Sequence, residues 1–217
     1  MDGFRVVDSG SNNSVVGEPA KILGVGRRPG LVTVEFRGSD CSLEIGPNVV
    51  FRKECRFVFY RDNQHIKIAG RNRLTMSIHL KGAGSVVSIG RGTNNNGLVW
   101  MNLGEPGDRI EIGANCLFAT VDFRTSHSHP IFDIETGQRI NPSGPIIVGD
   151  HVWIAEDVTL FGGATVGAGS VIGARSLVTS AIQENCLAVG VPAKCIRSGI
   201  RWDERMSDGN IDEDPHG

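Results

Sequence analysis

Two histidines two positions apart, His127 and His129, stand in the stretch SHSHPIFDIETGQRINPSGPIIVGDHVWIAEDV that runs from Ser126 to Val158. An imidazole with an unperturbed pKa of about 6.5 can take up a proton and give it back around neutral pH. Either ring would serve a reaction in which a hydroxyl loses its proton as it attacks, help worth about 10²–10⁴ in rate. A histidine pair also raises the question of a metal. Zinc needs several imidazoles converging at about 2.0–2.1 Å, and the next histidine, His151, comes 22 residues after His129. Asp122, Arg124, Asp133, Glu135 and Arg139 make the surrounding segment polar, and Trp153 stands where that character ends. Cys116 is a nucleophile by residue type alone.

What positions these groups is a repeat. From Val148 an aliphatic residue recurs at every sixth position: Val148, Ile154, Leu160, Val166, Ile172 and Val178. Four residues after each comes a small or β-branched side chain, Val152, Val158, Ala164, Ser170 and Ser176, with the larger Ile182 last. Gly149, Ala155, Gly167 and Gly173 directly follow four of these aliphatics, where a larger side chain would crowd a sharp turn. A period of six is neither helical nor a simple alternation. It calls for short strands joined by tight corners, each strand sending one aliphatic inward so that successive coils stack. Upstream the units recur more loosely: LEIG ends at Gly46, IKIA at Ala69, VSIG at Gly90 and IEIG at Gly113, intervals of 23, 21 and 23 residues. Three hexads plus a corner insertion account for each interval.

The repeat therefore predicts coils over 38–195 in one domain spanning 1–217, with an N-terminal extension and first strands over 1–37 and a C-terminal segment over 196–217. Between Phe118 and Ile147 the hexads fail. An active-site loop over residues 119–146 leaves one corner there and returns to it, an excursion of about 20 residues, long enough to suggest function. Cys116 falls in the small-residue slot of the Ile112 hexad, so burial is its expected fate. An amphipathic stretch from Ala193 to Met206, with Ile196, Ile200 and Trp202, is expected to form a short C-terminal helix that closes the last coil.

Composition agrees with a narrow aliphatic core. Glycine supplies 29 of 217 residues and aromatics 6%, against a usual glycine share of about 7%. The opening MDGFRVVDSG has no basic flank and apolar run, and no stretch reaches the roughly 18 apolar residues of a membrane span. A soluble, cytoplasmic protein without a membrane span is expected. Five cysteines without C-x-x-C fit reduced, mostly buried thiols better than a disulfide framework. From Asp203 onward six acids face one base, which leaves the rest of the chain at a net +3. That mild excess suits an anionic small ligand and does not suggest nucleic acid. No P-loop or strand-linked G-x-G-x-x-G is present, so nucleotide hydrolysis and dinucleotide redox chemistry are not supported.

HPIFDIETGQRIN, then IIVGDHVWIAEDV, then GVPAK resemble the hexapeptide-repeat acetyltransferases, and among them the O-acetyltransferases of capsular polysaccharides such as polysialic acid. The resemblance implies an all-β left-handed parallel β-helix with a protruding loop. It implies an acetyl-CoA-dependent O-acetyltransferase that modifies a carbohydrate hydroxyl on a capsular or other cell-surface polysaccharide. It further implies a homotrimer with active sites between subunits, and no metal. By match to the His-Pro-Ile segment His129 is the general base, with His127 as its rival; Trp153, lining the acetyl end of coenzyme A, is the second catalytic residue, a candidate donor to the charge that develops on the thioester oxygen, or else packs at the trimer interface. Glu156 and Ala174 follow along the cofactor groove, Thr179 and Ser180 sit at the LVTS turn, and Lys194 and Arg197 near the phosphates, the last two on one face of the expected helix.

Two departures accompany this. Related enzymes carry an acid two positions before the histidine, where His127 stands here, so Asp133, Glu135, Asp122 or a backbone carbonyl is left to orient His129. The family also often has Lys where Ser180 stands. RDNQH, TNNNG and NLGEPGD are candidate linings for an acceptor groove, and equally ordinary turns. Two other readings belong to other classes: a non-enzymatic β-solenoid scaffold, and a γ-type carbonic anhydrase. The order of His127, His129 and His151 differs from the latter's distant histidine followed by a close pair.

Overall fold

The six-residue series turns inward at every step: Val148, Ile154, Leu160, Val166, Ile172 and Val178 are each at most 2% exposed. In the computed structural model, which describes residues 4–17, 20–24 and 30–204, these side chains fill a three-sided prism. Three hexads make one turn of the coil. Val148 therefore pairs with Val166, Ile154 with Ile172 and Leu160 with Val178, each 18 residues further on and one coil up. The looser upstream units obey the same geometry, because Ile45, Ile68, Ile89, Ile112 and Val148 stand in one parallel column.

Among the described residues the first face holds eight strands from Phe4–Asp8 to Leu177–Val178, and the second eight from Ser14–Gly17 to Ala181–Ile182. The third holds nine, from Lys21–Leu23 to Ala193–Ser198. Every pairing is parallel except the last, and coiling is under way from Phe4. The fold is the left-handed parallel β-helix.

The small slots are small for a visible reason. Ala164, Ser170 and Ser176 are at most 2% exposed at the corners, where the two serines hydrogen-bond the backbone of the neighbouring turn. Cys116 occupies its expected slot at 1% exposure, and burial raises its thiol to about 11, so it is no nucleophile at neutral pH. At Gly167 a Cβ would lie 2.3 Å from the backbone nitrogen of Glu184 on the adjacent coil.

Two expectations fail at the C-terminal end. Ala193–Ser198 is a strand, not the start of a helix; residues 199–204 are not helical, and 205–206 lie outside the described residues. The reason is the free edge of Cys186–Gly190: its unpaired backbone groups are satisfied when the chain turns back and pairs antiparallel, which outweighs the local amphipathic pattern. That return also brings Cys195 to Cys186, Cα atoms 5.9 Å apart, in a disulfide, so the expectation of reduced thiols holds only for the buried Cys41, Cys55 and Cys116.

Ile154→Ala should remove about 2–5 kcal/mol by leaving a cavity in the column. Gly167→Ala should cost about 1–3 kcal/mol through overpacking. Urea unfolding followed by circular dichroism measures both.

Candidate functional site

The polar stretch leaves the prism where the first face gives way to the second, after Val121–Arg124 and before Ile146–Val148. Its middle forms a short hairpin in which Ile140 N–H donates to Ile131 O (2.9 Å) and Phe132 bridges Arg139. Asp133 caps the tip, accepting from the Glu135 and Thr136 N–H groups and from the Thr136 hydroxyl. Arg139 then fixes this hairpin to the body. Its guanidinium grips the Glu105 carboxylate through two bonds of 2.8 and 2.6 Å, and the Ser126 hydroxyl adds a third at 2.8 Å. These bonds hold Glu105 down at about 2.

The two histidines have different fates. His127 lies flat against Phe161 of the first face, ring centroids 4.7 Å apart and planes 10° apart. His129 is exposed, and among the described residues no hydrogen-bond partner meets its ring. Two of the carboxylates considered as its orienter are engaged elsewhere: Asp133 in the hairpin tip, Asp122 on Arg124 at 2.6 Å. The backbone beside the histidine is held instead by Asn141, whose amide donates to His129 O (2.9 Å) and accepts from Ile131 N–H (2.6 Å).

Beside this loop opens a cleft of about 760 Å³ lined by Ser128 and Pro130 from the loop and by Lys81, Trp100, Asn102 and Arg124 from the first face. Trp100 is stacked on His79, centroids 4.9 Å apart. His79 is bonded at its two nitrogens by Ser77 (3.0 Å) and Tyr60 (3.3 Å), and its pKa is lowered by burial and then by Arg56 and Lys81. That imidazole backs the indole. Of the three groove candidates, NLGEPGD supplies Asn102 and Glu105 to the cleft. The other two do not line this cleft, and each has one buried amide that serves the coil: Gln64 donates to Leu80 O and Gly82 O, and Asn95 to Thr75 O.

Trp153 projects outward from the third face, 39% exposed, 6.0 Å from the ring of Trp202. Trp202 stacks on His151 at 4.2 Å and donates its indole N–H to His151 O (2.8 Å), tying the C-terminal segment to this face. Trp153 and His129 therefore stand on different sides of one prism. Glu156 and Ala174 occupy successive exposed corners between the third and first faces, where Arg175 N–H meets Glu156 O at 2.8 Å. Thr179 and Ser180 are exposed at the next corner, the one from which the loop emerges two coils earlier.

Lys194 and Arg197 share a face as expected, but by another route. Three residues apart on a regular strand they would point oppositely; a bulge sets Lys194 opposite Val189 and Arg197 opposite Leu187, both half-buried and facing outward.

A prism of hexads with one polar excursion defines the hexapeptide-repeat class. The crystal structure of the polysialic-acid-specific acetyltransferase NeuO matches with a TM-score of 0.84 and 32% identity over 97% of this chain and 86% of that one, and the chain belongs to the hexapeptide-repeat acetyltransferases. The polysialic acid O-acetyltransferase of Neisseria meningitidis is 29% identical over 190 residues, 82% of each chain. That of Escherichia coli O1:K1 is 35% identical over 94 residues, 43% of this chain. The match spans 50%, 31% and 41% of the length of three curated relatives. No protein-family profile matches the chain.

The Glu105–Arg139 tether has a defined pH window. Because the carboxyl is depressed from 4.5 to about 2, its stabilisation is complete above 4.5 and is lost as pH falls through about 2. Glu105→Gln should release the hairpin at neutral pH, so that trypsin cuts after Arg139 roughly tenfold faster than in the wild type. An unchanged cleavage rate would show that the ion pair does not hold the loop.

Proposed function

We propose that this protein is an acetyl-CoA-dependent O-acetyltransferase that modifies a carbohydrate hydroxyl of a capsular or other cell-surface polysaccharide, acting in the cytoplasm where acetyl-CoA is made. The observation that carries this reading is the exposed imidazole of His129, unencumbered by any partner among the described residues, on a tethered loop whose Ser128 and Pro130 line the cleft. The cleft offers what a sugar needs: an indole face in Trp100, an amide in Asn102, and cations in Lys81 and Arg124. The names of the relatives support an acidic glycan as the acceptor.

In the reaction one ring nitrogen of His129 accepts the proton of the sugar hydroxyl as its oxygen attacks the thioester carbonyl. The C–S bond then breaks, and the imidazolium returns the proton to the departing coenzyme A thiolate. No acyl-enzyme forms. Trp153 lines the acetyl end of the cofactor. Glu156, Ala174, Thr179 and Ser180 flank the pantetheine, while Lys194 and Arg197, on one face of the terminal strand, meet the phosphates. His127, packed on Phe161, holds the loop to the first face and is not the base.

His129 rides on the loop beside the first face while Trp153 stands on the third, which supports a site shared between chains. The reading therefore includes a homotrimer in which the loop of one protomer meets the third face of the next.

His129→Ala should lower thiol release from acetyl-CoA with oligosialic acid by about 10²–10⁴. Wild-type turnover in that variant would refute the base. Co-expressing His129→Ala with Trp153→Ala chains should restore about one quarter of wild-type activity, since each mixed trimer regains one intact site. A mixture as inactive as its parents would refute the shared site.

A further inference from the structure

His129 presents a puzzle that its ring alone does not solve. A general base must be held to within a fraction of an ångström of the proton it takes, and a misplacement of about 1 Å costs about 10² in rate. Yet the ring has no partner among the described residues, and its neighbour two positions back, His127, is stacked on Phe161. Whatever fixes His129 acts through its backbone.

The geometry points to Asn141 as the positioning residue, with Arg139 and Glu105 anchoring it. The Asn141 side chain spans the His129–Pro130 pair from outside: its Nδ2–H donates to the carbonyl oxygen of His129 at 2.9 Å, and its Oδ1 accepts the N–H of Ile131 at 2.6 Å. Proline contributes no N–H of its own, so these are the first backbone acceptor and the first backbone donor on the C-terminal side of the histidine. Asn141 does not float with the loop. The Arg139 guanidinium donates to the Asn141 carbonyl oxygen at 3.0 Å while holding both oxygens of Glu105, which belongs to the turn after the strand Val99–Leu103 of the preceding coil. On the near side Ser126 bonds the same Glu105, and its hydroxyl accepts the Ser128 N–H at 3.2 Å. His129 is thereby held from both sides to one carboxylate on the prism.

Asparagine is the residue type this task needs, since one planar amide carries a donor and an acceptor side by side. Aspartate keeps the acceptor for Ile131 N–H and loses the donor to His129 O; alanine loses both. The inference rests on His129 being the base, and the test separates the two.

With oligosialic acid as acceptor, Asn141→Ala should lower kcat about 10²-fold, with the KM for acetyl-CoA little changed, and should add no further loss in a His129→Ala background. Independently of activity, hydrogen exchange of the Ile131 amide should quicken about tenfold in Asn141→Ala and stay slow in Asn141→Asp. Wild-type kcat in Asn141→Ala alongside an inactive His129→Ala would overturn the positioning role and leave the base standing. Equal further loss in the His129→Ala background, or unchanged Ile131 exchange, would overturn it as well. Wild-type turnover in His129→Ala would bring down the base, and this role with it.

Discussion

The register of the coil is the constraint from which everything else follows. Parallel strands sit about 4.7–4.9 Å apart, so a chain that returns to the same face with each coil, 18 residues plus whatever its corners insert, must present side chains of matching size in each column. Val148 above Ile112 and below Val166 meets that demand. Each such burial contributes about 1.5–3 kcal/mol relative to exposure, and a polar side chain in a column must find a hydrogen bond there, as Asn95 beside Phe118 does on Thr75 O. Extra residues can only be expelled at corners, and the largest expulsion, between Arg124 and Ile146, is the segment that bears His129.

This division of labour explains why the functional groups are arranged as they are. The prism supplies rigid outward rows: Trp100 beside Asp122 on the first face, Trp153 beside Leu117 and Val171 on the third. Among the described residues the loop is the element that reaches away from them. A rigid row cannot bend outward, so His129 is carried on the loop, and the Glu105 carboxylate is a point at which loop and prism are joined.

The amino-acid order revealed the prism because its rule is local and repetitive: the unbroken series from Val148 to Val178 fixes a coil length without knowledge of any contact. The loop was legible by the failure of the same rule, and Cys116 by its slot. What stayed hidden depends on pairs that no period announces. Glu105 and Arg139 are 34 residues apart, and nothing in NLGEPGD marks which acid takes the arginine. Ala193–Ser198 reads as an amphipathic helix because the pattern cannot see the open strand edge beside it, and the Cys186–Cys195 pair follows from that same return. Lys194 and Arg197 were placed on a common face for a helical reason and share it through a bulge, so a correct outcome came from the wrong periodicity.

The reversed strand at the end of the third face also bears on how such a molecule stays finite. A stack of identical turns has no inherent length: its last turn offers the same row of backbone donors and acceptors as every turn before it, a template on which a second molecule could continue end to end. Ala193–Ser198 runs against the direction of all the strands beneath it. A newcomer's first coil would find one of its three sides already taken by a ribbon of opposite polarity, and filament growth in phase with the coil stops there.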